Sequence, residues 1–174
     1  MKQRLFLLLA ATLTVGISAA QAQSQPCVVK ALGFPAPSRT LVKTPIPSGT
    51  CVATPGQTGR LRWDNNGSRE LQLFDTDDGG KLLWCGHLHD GNTACAQGSS
   101  FCLQSDGNAV IYAGADCTGE ALWASNTVGK NVNGEVMEVG DNFPGFTGEK
   151  AVILNNTNSG TANIVWTSNS QDPS

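Results

Sequence analysis

Three tryptophans, Trp84, Trp123 and Trp166, recur at spacings of 39 and 43 residues, and each sits in a similar apolar segment. The segments read Leu82-Leu83-Trp84-Cys85, Leu122-Trp123-Ala124-Ser125-Asn126 and Val165-Trp166-Thr167-Ser168-Asn169. Ahead of each lies a second apolar run: Leu71-Gln72-Leu73-Phe74, Ala109-Val110-Ile111-Tyr112 and Ala151-Val152-Ile153-Leu154. The Gly, Asp, Asn and Thr residues between run and tryptophan are hairpin-loop residues. From Gly49 onward the chain therefore reads as three units of strand, turn, strand, loop, strand. No stretch after residue 22 sustains a 3.6-residue period, so the domain is all-β. One unit cannot bury its apolar face, but three around a shared axis can, with one tryptophan from each near the centre. Trp84, Trp123 and Trp166 are thus core residues first, and Trp63 stands outside the pattern.

Around this repeat the chain divides into four parts. Residues 1–22 read as a signal peptide: Lys2 and Arg4 form a basic start, Leu5 to Ala20 an apolar stretch, and Ala20-Gln21-Ala22 a cleavage motif. Residues 23–49 form an arm rich in proline (Pro26, Pro35, Pro37, Pro45, Pro47), through which no helix can run. The expectation there is an extended segment with one short edge strand at Thr40 to Lys43. Residues 50–170 hold the repeats, and residues 171–174 are a polar tail. No later segment is long and apolar enough to span a bilayer.

Charge and cysteine content narrow the class. The formal charge is −3, and becomes −5 once Lys2 and Arg4 are removed. That argues against nucleic acid, which favours a basic surface, and against an anionic membrane face. Six cysteines, Cys27, Cys51, Cys85, Cys95, Cys102 and Cys117, all follow the cleavage motif. An even number in an exported chain points to three disulfides and to a secreted or periplasmic location. Fifteen pairings exist; the sequential one (27–51, 85–95, 102–117) closes short loops within units. Zinc is the rival, but there is no C-x-x-C and only two histidines.

The middle unit carries the most informative residues, Gln104-Ser105-Asp106-Gly107-Asn108-Ala109-Val110-Ile111-Tyr112. Fully extended, Gln104 and Tyr112 would lie roughly 26 Å apart, too far for one small ligand. Asp106-Gly107 is a turn signal, however. A reversal there brings Gln104 beside Asn108, and alternation places Gln104, Asn108, Val110 and Tyr112 on one face. The result is a polar patch with one apolar contact. Such a patch matches a ligand made of hydroxyls on a small hydrocarbon ring, which is a sugar.

Gln104-x-Asp106-x-Asn108-x-Val110-x-Tyr112, followed by Trp123-Ala124-Ser125-Asn126-Thr127, resembles the bulb-type mannose-binding lectins. All five fixed positions of that family's motif are present. The resemblance implies a β-prism II fold, three four-stranded sheets in pseudo-threefold arrangement. A β-trefoil, also three repeats of about 40 residues, is the alternative. It further implies that Asp106 and Asn108 bind the axial 2-hydroxyl of mannose, Gln104 the 3-hydroxyl and Tyr112 the 4-hydroxyl, while Val110 packs on the ring. The donor and acceptor inventory agrees: an ionised carboxylate accepts, the two amides do both, and the phenol offers one of each. Neither a metal nor a cofactor is implied, since no calcium-loop cluster accompanies the motif. The expected partners are mannose-containing glycans or glycoproteins. Family members also dimerise by exchanging C-terminal strands, which here would involve Ile164 to Asn169. A lectin-fold interaction protein with little sugar binding, an inhibitor or toxin-like module, is the alternative function.

Aligned on the apolar run before each tryptophan and read at the motif's fixed spacing, the first unit places Asn66, Ser68, Glu70, Gln72 and Phe74 at the motif positions, and the third Phe146, Gly148, Lys150, Val152 and Leu154; a bulge at Asp64-Asn65-Asn66-Gly67 would slip the register by one residue, but no slip restores the motif. Neither keeps the motif, so one intact site per chain is expected, with Asn142 to Gly148 as an insertion in the third unit. Other chemistry is thin. His87 and His89 alternate beside Asp90, a pattern that can hold a metal but is more often a solvated loop. Asp75, Asp77 and Asp78 crowd a turn beside Gly79-Gly80 rather than facing one another across a cleft. No G-x-S-x-G elbow, P-loop or dinucleotide fingerprint occurs, and the chain does not read as an enzyme. Asn66-Gly67-Ser68 and Asn155-Asn156-Thr157 are glycosylation sequons.

Overall fold

A computed structural model describes residues 27, 29–64, 66–88, 94–130, 135–140, 143, 148, 150–156 and 162–168. The expected leader 1–22, the tail 171–174, His89, Asp90, Phe146 and Asn169 lie outside the described residues. Among the described residues twelve strands form three separate four-stranded antiparallel sheets without a barrel. This is the three-sheet, prism-like arrangement expected, and not a trefoil.

The first sheet runs β3 (Cys51–Ala53), β4 (Gly59–Asp64), β5 (Glu70–Asp75) and β6 (Lys81–Cys85). The middle sheet runs β2 (Lys43–Pro45), β7 (Ser100–Gln104), β8 (Ala109–Tyr112) and β9 (Ala121–Ala124). The third runs β1 (Ala31–Gly33), β10 (Glu135–Gly140), β11 (Lys150–Asn156) and β12 (Ala162–Thr167). Each sheet shifts register at the same place, beside its tryptophan. The shifts fall at Leu73/Phe74, Ile111/Tyr112 and Ile153/Leu154, and the preceding residue of each pair faces Trp84, Trp123 and Trp166 respectively.

Alternation along the strands builds the core. Leu61, Trp63, Leu71 and Leu73 point inward from the first sheet, Phe101, Leu103, Ala109 and Ile111 from the middle, and Met137, Val139, Ala151 and Ile153 from the third. At the centre Trp84, Trp123 and Trp166 meet edge to face, with ring centroids 5.4–5.7 Å apart. That geometry is the favoured one for aromatic rings. Trp63 is also core, 1% exposed and packed 5.8 Å from the Phe101 ring. Gly98 is required where it stands: an added Cβ would lie 2.3 Å from an Ile111 methyl and 2.6 Å from the Tyr112 carbonyl oxygen.

The proline-rich arm departs from expectation. It supplies two strands rather than one, β1 and β2, and each is the outer strand of a different sheet. Pro45 is tolerated because an outer strand leaves one side of its backbone unpaired. The next residue restores the pairing, with Ile46 N donating to Phe101 O at 2.8 Å. The disulfides are sequential, Cys27–Cys51, Cys85–Cys95 and Cys102–Cys117. Three such bonds suit an oxidising compartment. Among the described residues no helix is long and apolar enough to cross a membrane.

Candidate functional site

The reversal predicted at Asp106-Gly107 is present. Gln104 N donates to Asn108 O at 2.9 Å and Gly107 N to Gln104 O at 3.0 Å. Asp106 Oδ1 accepts from Asn108 N at 3.0 Å, and Gly107 takes φ 90°, a value that favours glycine. Two neighbouring segments hold the turn. Ser105 N donates to Val42 O at 2.8 Å while Ser105 Oγ accepts from Val42 N at 2.9 Å. On the other side Gly129 N donates to Asp106 O at 2.6 Å.

Asn108 is fixed by residues that sequence reasoning did not assign to the site. Its Oδ1 accepts from Ser125 Oγ at 3.0 Å and from Thr127 N at 3.2 Å. Ser125 Oγ also accepts from Ala109 N at 2.9 Å, and Thr127 Oγ1 donates to Gly107 O at 2.6 Å. Ser125 and Thr127 thus form a second wall behind the turn. Their signal was in view as the tail after Trp123, which reads there only as a family mark.

Gln104, Asn108, Val110 and Tyr112 share the outer face of the middle sheet, away from the tryptophans, as alternation requires. Gln104 Nε2 donates to the Tyr112 hydroxyl at 2.6 Å. Val110 and Tyr112 pack with Cys102, Cys117 and Ala124 in a small cluster separate from the main core. The face is closely covered: Gln104 is 3% exposed, Val110 2%, Tyr112 8% and Asn108 9%, while Asp106 at the tip is half-buried. Two features cover it. The Cys102–Cys117 bond draws the loop after β8 onto the face. Lys43, which pairs with Gln104 across β2 and β7, extends so that Nζ lies 4.3 Å from the Tyr112 ring centroid and 3.1 Å from Cys117 O.

The other two sheets correct the fixed-spacing alignment. Matching the register shifts sets Asp64, not Asn66, against Gln104, with Glu70, Gln72 and Phe74 matching Asn108, Val110 and Tyr112. In the third sheet Gly140, not Phe146, takes the Gln104 place, while Lys150, Val152 and Leu154 stand as expected. The spacing argument fails because the hairpin loops differ in length, spanning 105–107, 65–69 and 141–149 between matched residues. The intact motif is therefore confined to the middle sheet. In the first sheet Arg62 pairs with Asp64 at 3.0 Å, and Glu70 accepts from Gln72 Nε2 at 2.6 Å and from Gln97 Nε2 at 3.0 Å. Burial alone would raise the Asp64 carboxyl. The Gly67 and Asn66 amides, Arg62 and the Ser48 hydroxyl together hold it below the ordinary carboxylate value. In the inserted loop of the third sheet, Phe143 lies against Gly140, where a Cβ would meet its ring at 2.7 Å.

One buried acid was not foreseen. Glu135 opens β10, is 1% exposed, and among the described residues neither carboxyl oxygen meets a donor. Burial, and then the nearby Asp106 charge, push its carboxyl up to about 7. Burial likewise raises Glu138, which lines a cavity of about 520 Å³ with Val29, Gln57 and Phe143, remote from the motif. Of the proposed metal pair, His87 bridges Cys95 in backbone pairing, and His89 lies outside the described residues. Among the described residues no group of three His, Cys, Asp or Glu side chains is placed to hold a metal. Asp75 caps its own turn, accepting from the Asp77 and Asp78 amides at 2.9 and 3.1 Å. Asn66 of the first sequon is exposed, and Thr157 of the second lies outside the described residues.

With this geometry in hand, comparison of the chain with protein-family models, with curated proteins and with solved structures found no match in any of the three.

Proposed function

We propose that the chain is an exported, non-catalytic lectin that binds mannose-type glycans without a metal, through Gln104, Asp106, Asn108, Val110 and Tyr112. The observation that carries this reading is the convergence of two amides, a phenol and an isopropyl group on one outward face beside a turn bearing a carboxylate. Adjacent hydroxyls of fixed geometry meet such a set, and an epimer would leave a buried polar group unpaired at roughly 1–3 kcal/mol. Four hydrogen bonds at about 1 kcal/mol each give affinity on the order of millimolar, so function would draw on several copies acting together. A homodimer formed by exchange of β12 would supply that.

The close cover over Gln104, Val110 and Tyr112 favours a second reading. In it the motif is a packed cap on a prism that serves as an interaction module, with little or no sugar binding. A glycan array on the mature protein, beside Asp106→Asn and Asn108→Ala, separates the two. Asp106→Asn keeps an oxygen to cap the turn and removes the charge. Mannose-type binding by the parent, lost in both variants at unchanged circular dichroism, supports the lectin. Absence of sugar binding by the folded parent supports the module. A reducing-sugar release assay is expected to show no turnover.

A further inference from the structure

Lys43 belongs to the arm, not to the motif, yet its ammonium reaches the motif. It lies 4.3 Å from the Tyr112 ring centroid and gives one hydrogen bond, 3.1 Å to Cys117 O. An ammonium has three donors. Neither of the two ion pairs seen among the described residues involves Lys43. Among the described residues this cation has no carboxylate partner, and it stands at the Tyr112 end of the face in a chain of net negative charge. Asp106 lies at the opposite end, on the turn. The face is polarised along its length.

We propose that Lys43 makes this face selective for saccharides bearing an anionic substituent, such as a uronate carboxylate or a phosphate or sulfate ester, oriented toward Tyr112. The inference rests on the reading of the face as a saccharide site. A neutral sugar that reaches Tyr112 must displace the ammonium from the ring and from the Cys117 carbonyl, with no ionic contact in return. An anionic sugar draws the same ammonium onto itself in a charge-assisted hydrogen bond. With Tyr112 at the 4-hydroxyl, a charge on the neighbouring C6 falls on the Lys43 side and away from Asp106.

The test is titration calorimetry with mannose, mannuronic acid and mannose 6-phosphate against the parent, Lys43→Met and Lys43→Arg, at low and at high salt. The parent is expected to bind the two anionic sugars about tenfold tighter than mannose at low salt, and less so at high salt. Lys43→Met is expected to bring the anionic-to-neutral ratio to one or below and to strengthen mannose binding, while Lys43→Arg keeps the preference. An equal ratio in the parent and Lys43→Met overturns the inference. If mannose binding then remains sensitive to Asp106→Asn, the saccharide reading stands without it. If none of the three sugars binds the parent or Lys43→Met, the saccharide reading falls and takes the inference with it.

Discussion

The middle and first sheets share a backbone frame, including the register shift beside the tryptophan, but their outer faces are opposite in character. The middle face is covered by a disulfide-tethered loop and by Lys43, and its amide and phenol bond to each other. On the first face Arg62, Asp64, Glu70, Gln72 and Phe74 are all half-buried, and their charges partner locally. The inward residues must fill one shared core and so stay apolar in both sheets. The outward residues answer only to their own neighbourhood. The frame therefore conserves shape, while chemistry resides in the outward set and in whatever segment lies over it.

The largest expected effect comes from removing the tether. Cys102→Ala with Cys117→Ala deletes a bond that closes a separation of 15 residues. It is expected to lower stability by about 3 kcal/mol in urea unfolding and to open the middle face to solvent. No loss of stability would show that the cover is held by packing alone.

The next contrast is between two acids. Glu135 is raised to about 7 beside the middle turn, while Asp64 is lowered on the first face. A raised acid binds its proton more tightly when folded. Its contribution is complete below the unfolded carboxylate value near 4.5 and is lost as pH rises through 7. Asp64 runs the other way, its contribution present above the unfolded value and lost as pH falls through the depressed one. Glu135→Gln is therefore expected to stabilise the protein at pH 8, on the order of 2 kcal/mol, and to do little at pH 4. Stability curves of parent and variant that stay parallel over this range would refute the assignment.

The smallest contrast compares matched positions. Asn108→Ala removes an acceptor that serves Ser125 and Thr127 in a buried site, with an expected loss of about 1–2 kcal/mol. Glu70→Ala, at the matching position of the half-buried first face, is expected to change stability by less than about 0.5 kcal/mol. Thermal melts that rank the two in reverse would show that the faces are not as different as their exposure.

What could be read from the sequence was local or periodic. The Asp106-Gly107 reversal announces itself through turn chemistry, the three tryptophans through their recurrence, and the disulfides through the short loops that sequential pairing closes. What escaped depends on distant parts of the chain. Nothing near Lys43 says that β2 will lie beside β7, and nothing near Ala31 says that β1 will lie beside β10, so neither the ammonium over Tyr112 nor the unforeseen strand β1 was legible. The matching of Asp64 to Gln104 was hidden because hairpin loops vary in length where strands do not. Glu135 begins an alternating strand, and its acidic side chain gave no sign that it would face inward with Met137 and Val139.

The placement of β1 has a temporal consequence. Its residue Ala31 pairs with Glu138, so this strand is made well before the partner it waits for. Until β10 emerges, that ribbon has no sheet to complete, and the third sheet stays one edge short. Assembly must be slow relative to helical proteins of this size, because so much of its pairing is remote along the chain. Under the proposed export, that delay would let the chain cross a membrane while still open and close with its cysteines already in oxidising surroundings.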